Sequence, residues 1–252
     1  MSTRRTFLSS LALAATAAAL PSSLMAMPLA ARPKVLLFDV NETLLDLRKL
    51  QRAINEEFKW EFAFKQWFSL LLQYSLVDTT TAAYHDFGQI GAAALDMLAQ
   101  SLGQSARPEA RKKELLALIT ELPPHPDVVP ALTRLQKAGF RMATLTNSSG
   151  PAVKKQIAYA GLGSFFEQLL SVDVVQRYKP HPDTYRMACQ KLQVAPADTL
   201  LIAAHGWDTA GAVRAGLQAA FVARSGQALY PLAAAPAYTG PTVADIARQL
   251  GA

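Results

Sequence analysis

The sequence predicts an α/β fold: a doubly wound parallel sheet with a helical domain inserted after its first strand. Three observations predict it. The short apolar run "KVLLF" at 34–38 ends in an aspartate, Asp39. The stretch from Asp46 to about Glu121 carries only helical spacing. Beyond Pro130 strand-like and helix-like segments alternate, the pattern of a parallel sheet covered on both faces.

Taken in order, the first segment, "STRRTFLSSLALAATAAALPSSLMAMPLAARP", places Arg4 and Arg5 before an apolar run. That run is about 14 residues long, short of the ~20 that span a bilayer. Residues 1–30 therefore read as an export signal of twin-arginine type, with cleavage expected between Ala26 and Ala31. A periplasmic protein is expected, with no stable membrane insertion after signal removal. A Sec signal with two chance arginines is the competing reading.

Residues 34–38 read as a buried strand and 39–47 as its exit loop. Apolar residues then recur every three or four positions in "LRKLQRAINEEF", "FKQWFSLLLQYSLV", "GQIGAAALDMLAQSLG" and "PEARKKELLALIT". Residues 47–121 are thus expected as a helical cap domain. "LPPHPDVVP" is a Pro-rich boundary. The core domain is expected to comprise 31–46 and 122–252. In it "VVPALTRLQKAG" is a helix ending at Gly139, "FRMATLT" a strand, and 148–160 a helix with Pro151 in its first turn. "FEQLLSV" holds a strand, "PDTYRMACQKLQV" is a helix and "TLLIAA" a strand. "GWDTAGAVRAG" is a helix, "LQAAFVA" the last strand, and "TVADIARQL" a closing helix.

Composition agrees with a sizeable core: of 252 residues, 51% are apolar and 17% charged. The formal charge of +6 includes Arg4 and Arg5, so the rest is only mildly basic. No block of like charge and no Lys/Arg stripe with aromatics is present, so no nucleic-acid partner is expected. The single cysteine, Cys189, excludes an internal disulfide and is expected to pack as a small apolar residue.

Ligands of such sheets bind where the strands end. Asp39, the pair Thr146 and Asn147, the loop around Lys179 and the loop 203–208 all follow predicted strands. Four polar clusters therefore converge on one edge, under the cap. A carboxylate there can act as a nucleophile if bound groups offset its charge and position it. Thr43 can donate a hydroxyl, and Lys179 can hold Asp39 ionised. Thr146 and Asn147 add donors for an anionic substrate.

These motifs, in this order across roughly residues 35–222, resemble the haloacid dehalogenase superfamily, with its Rossmann-like core and helical cap. Phosphatases of that superfamily carry a second acid two residues after the nucleophile, where this chain has Asn41. They also bind magnesium through an acid of the last motif, where "AAHGWD" has Ala204 and keeps only Asp208. A hard cation wants several oxygen ligands, so neither metal nor cofactor is expected. "WDTAGA", with Trp207, Asp208 and Gly211, resembles the 2-haloacid dehalogenases, as do Tyr185 after Lys179 and "WFSLLLQYS" in the cap.

The resemblance implies hydrolysis of short (S)-2-haloacids to 2-hydroxy acids through an ester on Asp39. Water held by Asp208, with Lys179 or His205 nearby, would then cleave that ester. The backbone amides of Val40 and Asn41, with Thr146 and Asn147, would hold the substrate carboxylate or an oxyanion. The implied partners are a small halogenated carboxylic acid and a halide ion, and family analogy implies a homodimer.

Three departures from the pattern stand out. Glu42 replaces a turn glycine, and its side chain is expected to point to solvent. Phe68 replaces the cap arginine that cradles halide; Trp67 and Phe68 could face a halide through positive ring edges, or both could be core residues. Ala203 and His205 replace a serine and an asparagine, and His205 could orient water, act as a base, or be structural. The alternatives are another hydrolase of this fold, a phosphatase or small-ring hydrolase, and a catalytically silent periplasmic binding protein.

Overall fold

The computed structural model describes residues 32–252. The expected export signal lies outside the described residues. The sheet has six strands, all parallel, in the order β3-β2-β1-β4-β5-β6. They are β1 (Val35–Phe38), β2 (Arg141–Thr146), β3 (Gln168–Ser171), β4 (Thr199–Ala203), β5 (Gln218–Val222) and β6 (Tyr238–Gly240). The residues of β1 and β4 are buried throughout. Helices cover both faces, so these strands read as continuous apolar runs instead of alternating ones.

β1 lies centrally, between β2 and β4, and the chain winds away from it in both directions. The crevice at its carboxyl end is the switch point where such sheets bind ligands. Asp39 follows β1 directly.

Four helices fill the insertion: α1 (Arg48–Phe58), α2 (Ala63–Thr80), α3 (Phe87–Ser101) and α4 (Glu109–Ala117). On α1 the buried residues Leu50, Ile54 and Phe58 recur at four-residue spacing and face inward. Asp86 caps α3 by accepting from Gly88 and Gln89 amides while Gln89 returns to the Asp86 amide, a reciprocal capping box. The two strands of chain entering and leaving the insertion run side by side. Asp46 N donates to Pro123 O at 2.9 Å, and His125 N to Leu44 O at 2.9 Å.

The core helices are α5 (Val128–Lys137), α6 (Gly150–Tyr159), α7 (Pro182–Leu192), α8 (Gly206–Arg214) and α9 (Val243–Gln249). Gly139 closes the α5 turn at φ 80°, where a glycine is unstrained. Cys189 is buried on α7, as expected of a small apolar residue.

One strand exceeds the sequence reading, which ended the sheet at β5. β6 has only three residues, pairs as an edge with β5 and is partly exposed. It lacks the apolar run that marks a buried strand, and pairing with a neighbour creates it.

Candidate active site

Asp39 sits at the end of β1 with its carboxylate almost fully enclosed. Thr43 Oγ1 donates to Asp39 Oδ2 at 2.6 Å and itself accepts from the Ala204 amide at 2.8 Å. One turn of chain thus places the hydroxyl between the first and last motifs. Lys179 Nζ donates to Asp39 Oδ1 at 2.7 Å, to Asp208 Oδ2 at 2.6 Å and to the Leu145 carbonyl at 3.1 Å. All three of its protons are used. Burial alone would push the Asp39 carboxyl up, but Lys179 and then His205 hold it well below the usual carboxylate range. Burial opposes the Lys179 charge too, yet Asp208 and Asp39 keep its ammonium above the ordinary lysine value.

Asp208 lies in the first turn of α8, fully buried. Burial raises its carboxyl above the ordinary value, against the pull of Lys179. Tyr185 Oη donates to Asp208 Oδ1 at 2.6 Å. Gly211 is required here: a side-chain carbon would lie 2.4 Å from Pro180 Cβ and 2.7 Å from Tyr185 Oη.

His205 and Glu42 form a pair. His205 Nε2 donates to Glu42 Oε2 at 2.7 Å, and Nδ1 lies 3.4 Å from Asp39 Oδ2, within ion-pair distance but without an aligned hydrogen bond. Burial works against its charge, but Asp39 and Glu42 together raise the imidazole to about 9. The expectation that Glu42 points to solvent is corrected. Its backbone is left-handed at φ 61°, which costs a non-glycine residue about 1–2 kcal/mol. That turn aims the carboxylate at His205, and Gln227 Nε2 also donates to it at 3.2 Å. His125 Nε2 holds the Glu42 carbonyl at 3.1 Å, and Arg224 Nη2 the Thr43 carbonyl at 3.0 Å.

Aromatic rings roof this pair. Phe68 lies 6.4 Å from the His205 ring and stacks on Phe64 at 5.7 Å. Trp207 stacks on His205 at 5.0 Å, with Lys179 Nζ 5.8 Å from its ring centre. Trp67 is placed differently: its indole N–H donates to the Gly91 carbonyl at 2.9 Å inside the cap.

The β2 loop is partly committed to structure. Thr146 Oγ1 accepts from the Ser148 amide at 3.1 Å, and Asn147 Oδ1 from the Lys179 amide at 3.0 Å. The amides of Val40 and Asn41 find no acceptor among the described residues. Sequence reasoning missed Gln156, whose Nε2 donates to Asn41 Oδ1 at 2.9 Å. The signal was present: Gln156 falls on the buried α6 face with Val153 and Ile157.

The position of the last-motif acid that would bind magnesium is Ala204, whose amide serves Thr43. Of the site's carboxylates, Asp39 and Asp208 share the Lys179 ammonium, and Glu42 is taken up by His205 and Gln227. This donor set does not fit a hard cation.

A family profile described as haloacid dehalogenase-like hydrolase matches residues 33–216. The chain belongs to the haloacid dehalogenase-like hydrolases. Within them it is 30% identical to the (S)-2-haloacid dehalogenase of Xanthobacter autotrophicus over 77% of this chain and 76% of that protein. It is 34% identical to (S)-2-haloacid dehalogenase 1 of Pseudomonas sp. (strain CBS-3), over 58% of this chain and 64% of that one, just under two thirds of its length. The solved structure of the L-2-haloacid dehalogenase from Xanthobacter autotrophicus with chloropropionic acid covalently bound has a TM-score of 0.81 at 27% identity. It covers 87% of this chain and 98% of that one. This haloacid dehalogenase-like hydrolase therefore shares its fold with a protein of that activity.

Proposed function

We propose that this chain is a metal-independent (S)-2-haloacid dehalogenase that converts short 2-haloacids to 2-hydroxy acids. One observation carries the reading: the carboxylate at the switch point is kept ionised by a buried ammonium, with a hydroxyl donor holding its other oxygen. Asp39 attacks the carbon that bears the halogen from the face opposite it. The carbon–oxygen bond forms as the carbon–halogen bond breaks, configuration inverts, and halide leaves with the electron pair. A halide is a stable anion and needs no proton, so Asn41 in place of a general acid costs nothing.

Water then attacks the Asp39 carboxyl carbon. Esterification removes one of the two negative charges that hold the His205 proton. The imidazole releases that proton to solvent, as the net proton of the reaction, and then takes one from the attacking water, with Glu42 stabilising the imidazolium it becomes. That proton passes to the leaving alkoxide of the hydroxy acid, and the Asp39 carboxyl, which keeps the second proton of the water, gives it to His205, so that the carboxylate and the imidazolium are both restored. Amides of Val40 and Asn41 serve as donors for the developing charge.

Halide release from (S)- and (R)-2-chloropropionate in excess EDTA tests the proposal. Release from the (S) acid, undiminished by chelator, is expected. Turnover of a phosphate ester that requires magnesium, with no halide release, would replace it.

The pair Arg4 and Arg5 before an apolar run supports export by the twin-arginine route to the periplasm. Cell fractionation in a strain lacking that route tests it: the protein should stay inside. Exposed Tyr74, Leu76 and Val77 on α2 support a homodimer, checked by light scattering. Among the described residues no helix is long and apolar enough to cross a membrane.

A further inference from the structure

Both cations nearest Asp39 are already committed. Lys179 serves Asp39 and Asp208, and His205 lies between Asp39 and Glu42. The sequence offers no arginine between Arg52 and Arg107, so α2 presents none to the site. The one cation α2 carries, Lys65, is exposed, which leaves neutral donors to recognise a substrate carboxylate.

A directed chain of such donors runs beside the nucleophile loop. Gln156 is fully buried, and its Nε2 donates both to the Ile119 carbonyl at 3.1 Å and to Asn41 Oδ1 at 2.9 Å. Asn41 Nδ2 in turn donates to Ser148 Oγ at 3.2 Å. The direction is fixed at its origin. A backbone carbonyl can only accept, so Ile119 dictates which end of the Gln156 amide faces it. Flipping Gln156 would set its Oε1 against that carbonyl oxygen. With Gln156 fixed, Asn41 must turn its oxygen to Gln156 and its NH2 to Ser148. Ser148 Oγ accepts from Asn41 and still has its own proton to donate, and no protein acceptor receives it among the described residues. The second N–H of Asn41 is likewise uncommitted.

The strain of the arrangement is consistent with a purpose. Gln156 Oε1 is buried without a partner among the described residues, a cost of about 1–3 kcal/mol that an apolar residue on α6 would avoid. Ser148 is pinned from two sides: its amide donates to Thr146 Oγ1, and its carbonyl accepts from Ser171 Oγ at 2.8 Å. It lines a cavity of about 90 Å³ walled mainly by Trp67, Leu71, Phe87 and Leu116, with Asp86 also on the wall, where one of its oxygens is taken up by the Gly88 and Gln89 amides. That volume is roughly three water molecules.

We propose that Gln156, Asn41 and Ser148 form a carboxylate-recognising relay, in which Ser148 and Asn41 donate to the substrate carboxylate and Gln156 is the positioning residue. The small, mainly apolar space beside Ser148 restricts the acid to short chains. The proposal rests on the haloacid reading for its substrate, but its test does not require turnover.

The probe is propionate, an unreactive carboxylate, titrated calorimetrically into the full chain. A hydrogen bond to a charged group carries about a tenfold to hundredfold change in affinity. Ser148→Ala should weaken propionate binding by about tenfold or more, and Gln156→Leu by a similar factor. The double variant should be little weaker than either alone, because both break one chain. Where Gln156→Leu does not fold, Asn41→Ala interrupts the same relay. Propionate affinity within about twofold of the parent in Ser148→Ala overturns the relay, as does full additivity or no binding by the parent. A parent that binds propionate through Ser148 but releases no halide refutes the dehalogenase reading and leaves the relay standing. In turnover assays KM should rise more than kcat falls; equal loss in both with a lowered melting temperature would mark a structural role.

Discussion

One ammonium serves two buried carboxylates, and that economy fixes what each residue of the site can do. Lys179 stabilises the ionised Asp39, the state in which the proposed mechanism uses it, while Asp208, drier and sharing the same cation, is held higher. Asp39→Asn removes the nucleophile but not the ammonium's second partner, so halide release should vanish while the melting curve persists. His205→Asn leaves alkylation intact and removes the base, so the Asp39 ester should accumulate under mass spectrometry of the protein with substrate. Prompt turnover without accumulated ester would assign the base elsewhere. The His205 charge also has a pH signature. Its value is raised in the fold from 6.5 to about 9, so its ionic contacts contribute fully below pH 6.5 and are lost as pH rises through about 9. Asp39 has the opposite sign: its contribution is present above its ordinary 3.8 and is lost as pH falls. The melting temperature should therefore fall across about pH 6.5 to 9, and His205→Asn should flatten that part of the profile.

At the scale of elements, helix α8 must come close enough to α7 for Tyr185 to reach Asp208. Gly211 permits the approach. Gly211→Ala should cost about 1–3 kcal/mol of stability, read by denaturant unfolding, and should depress kcat by displacing Asp208. The strand ends that bring these groups together were legible in the sequence: apolar runs, each followed by Asp39, Thr146, or Ala203, leave little choice once a parallel sheet is inferred. What was not legible lies in pairings between elements far apart in sequence. Glu42 and His205 each looked like a separate departure from a pattern. They are complementary charges 163 positions apart, joined only because β1 and β4 are neighbours. β6 escaped because an edge strand of three residues carries no periodic signal. Gln156 escaped for the opposite reason, as one polar residue within an otherwise apolar helix face.

Across the whole molecule, the inserted helices and the core are joined beside Lys179. Tyr178, the residue before Lys179, donates its hydroxyl to the His85 carbonyl at 2.5 Å, and its amide donates to Thr79 Oγ1 at 2.9 Å. Its ring lies 5.6 Å from Tyr84 in a stack and 5.8 Å from Phe87. The Tyr84 hydroxyl donates to Asp173 Oδ1, and Asp173 Oδ2 accepts from the Gly150 amide at 2.7 Å. Contacts from α2, α3 and the segment between them thus end on both the Lys179 loop and the first turn of α6. Burial raises both phenols above their ordinary values, so these protons stay in place across the working pH range. Tyr84→Phe keeps the ring stack and removes only the hydroxyl, leaving one Asp173 oxygen without its donor. Hydrogen exchange should then quicken together at 79–88 in the cap and 172–178 in the core, because one contact holds both. Halide release should slow as Lys179 loses part of its support, with Asp39 itself untouched. Faster exchange confined to the cap, with turnover unchanged, would show that the closure does not reach the lysine.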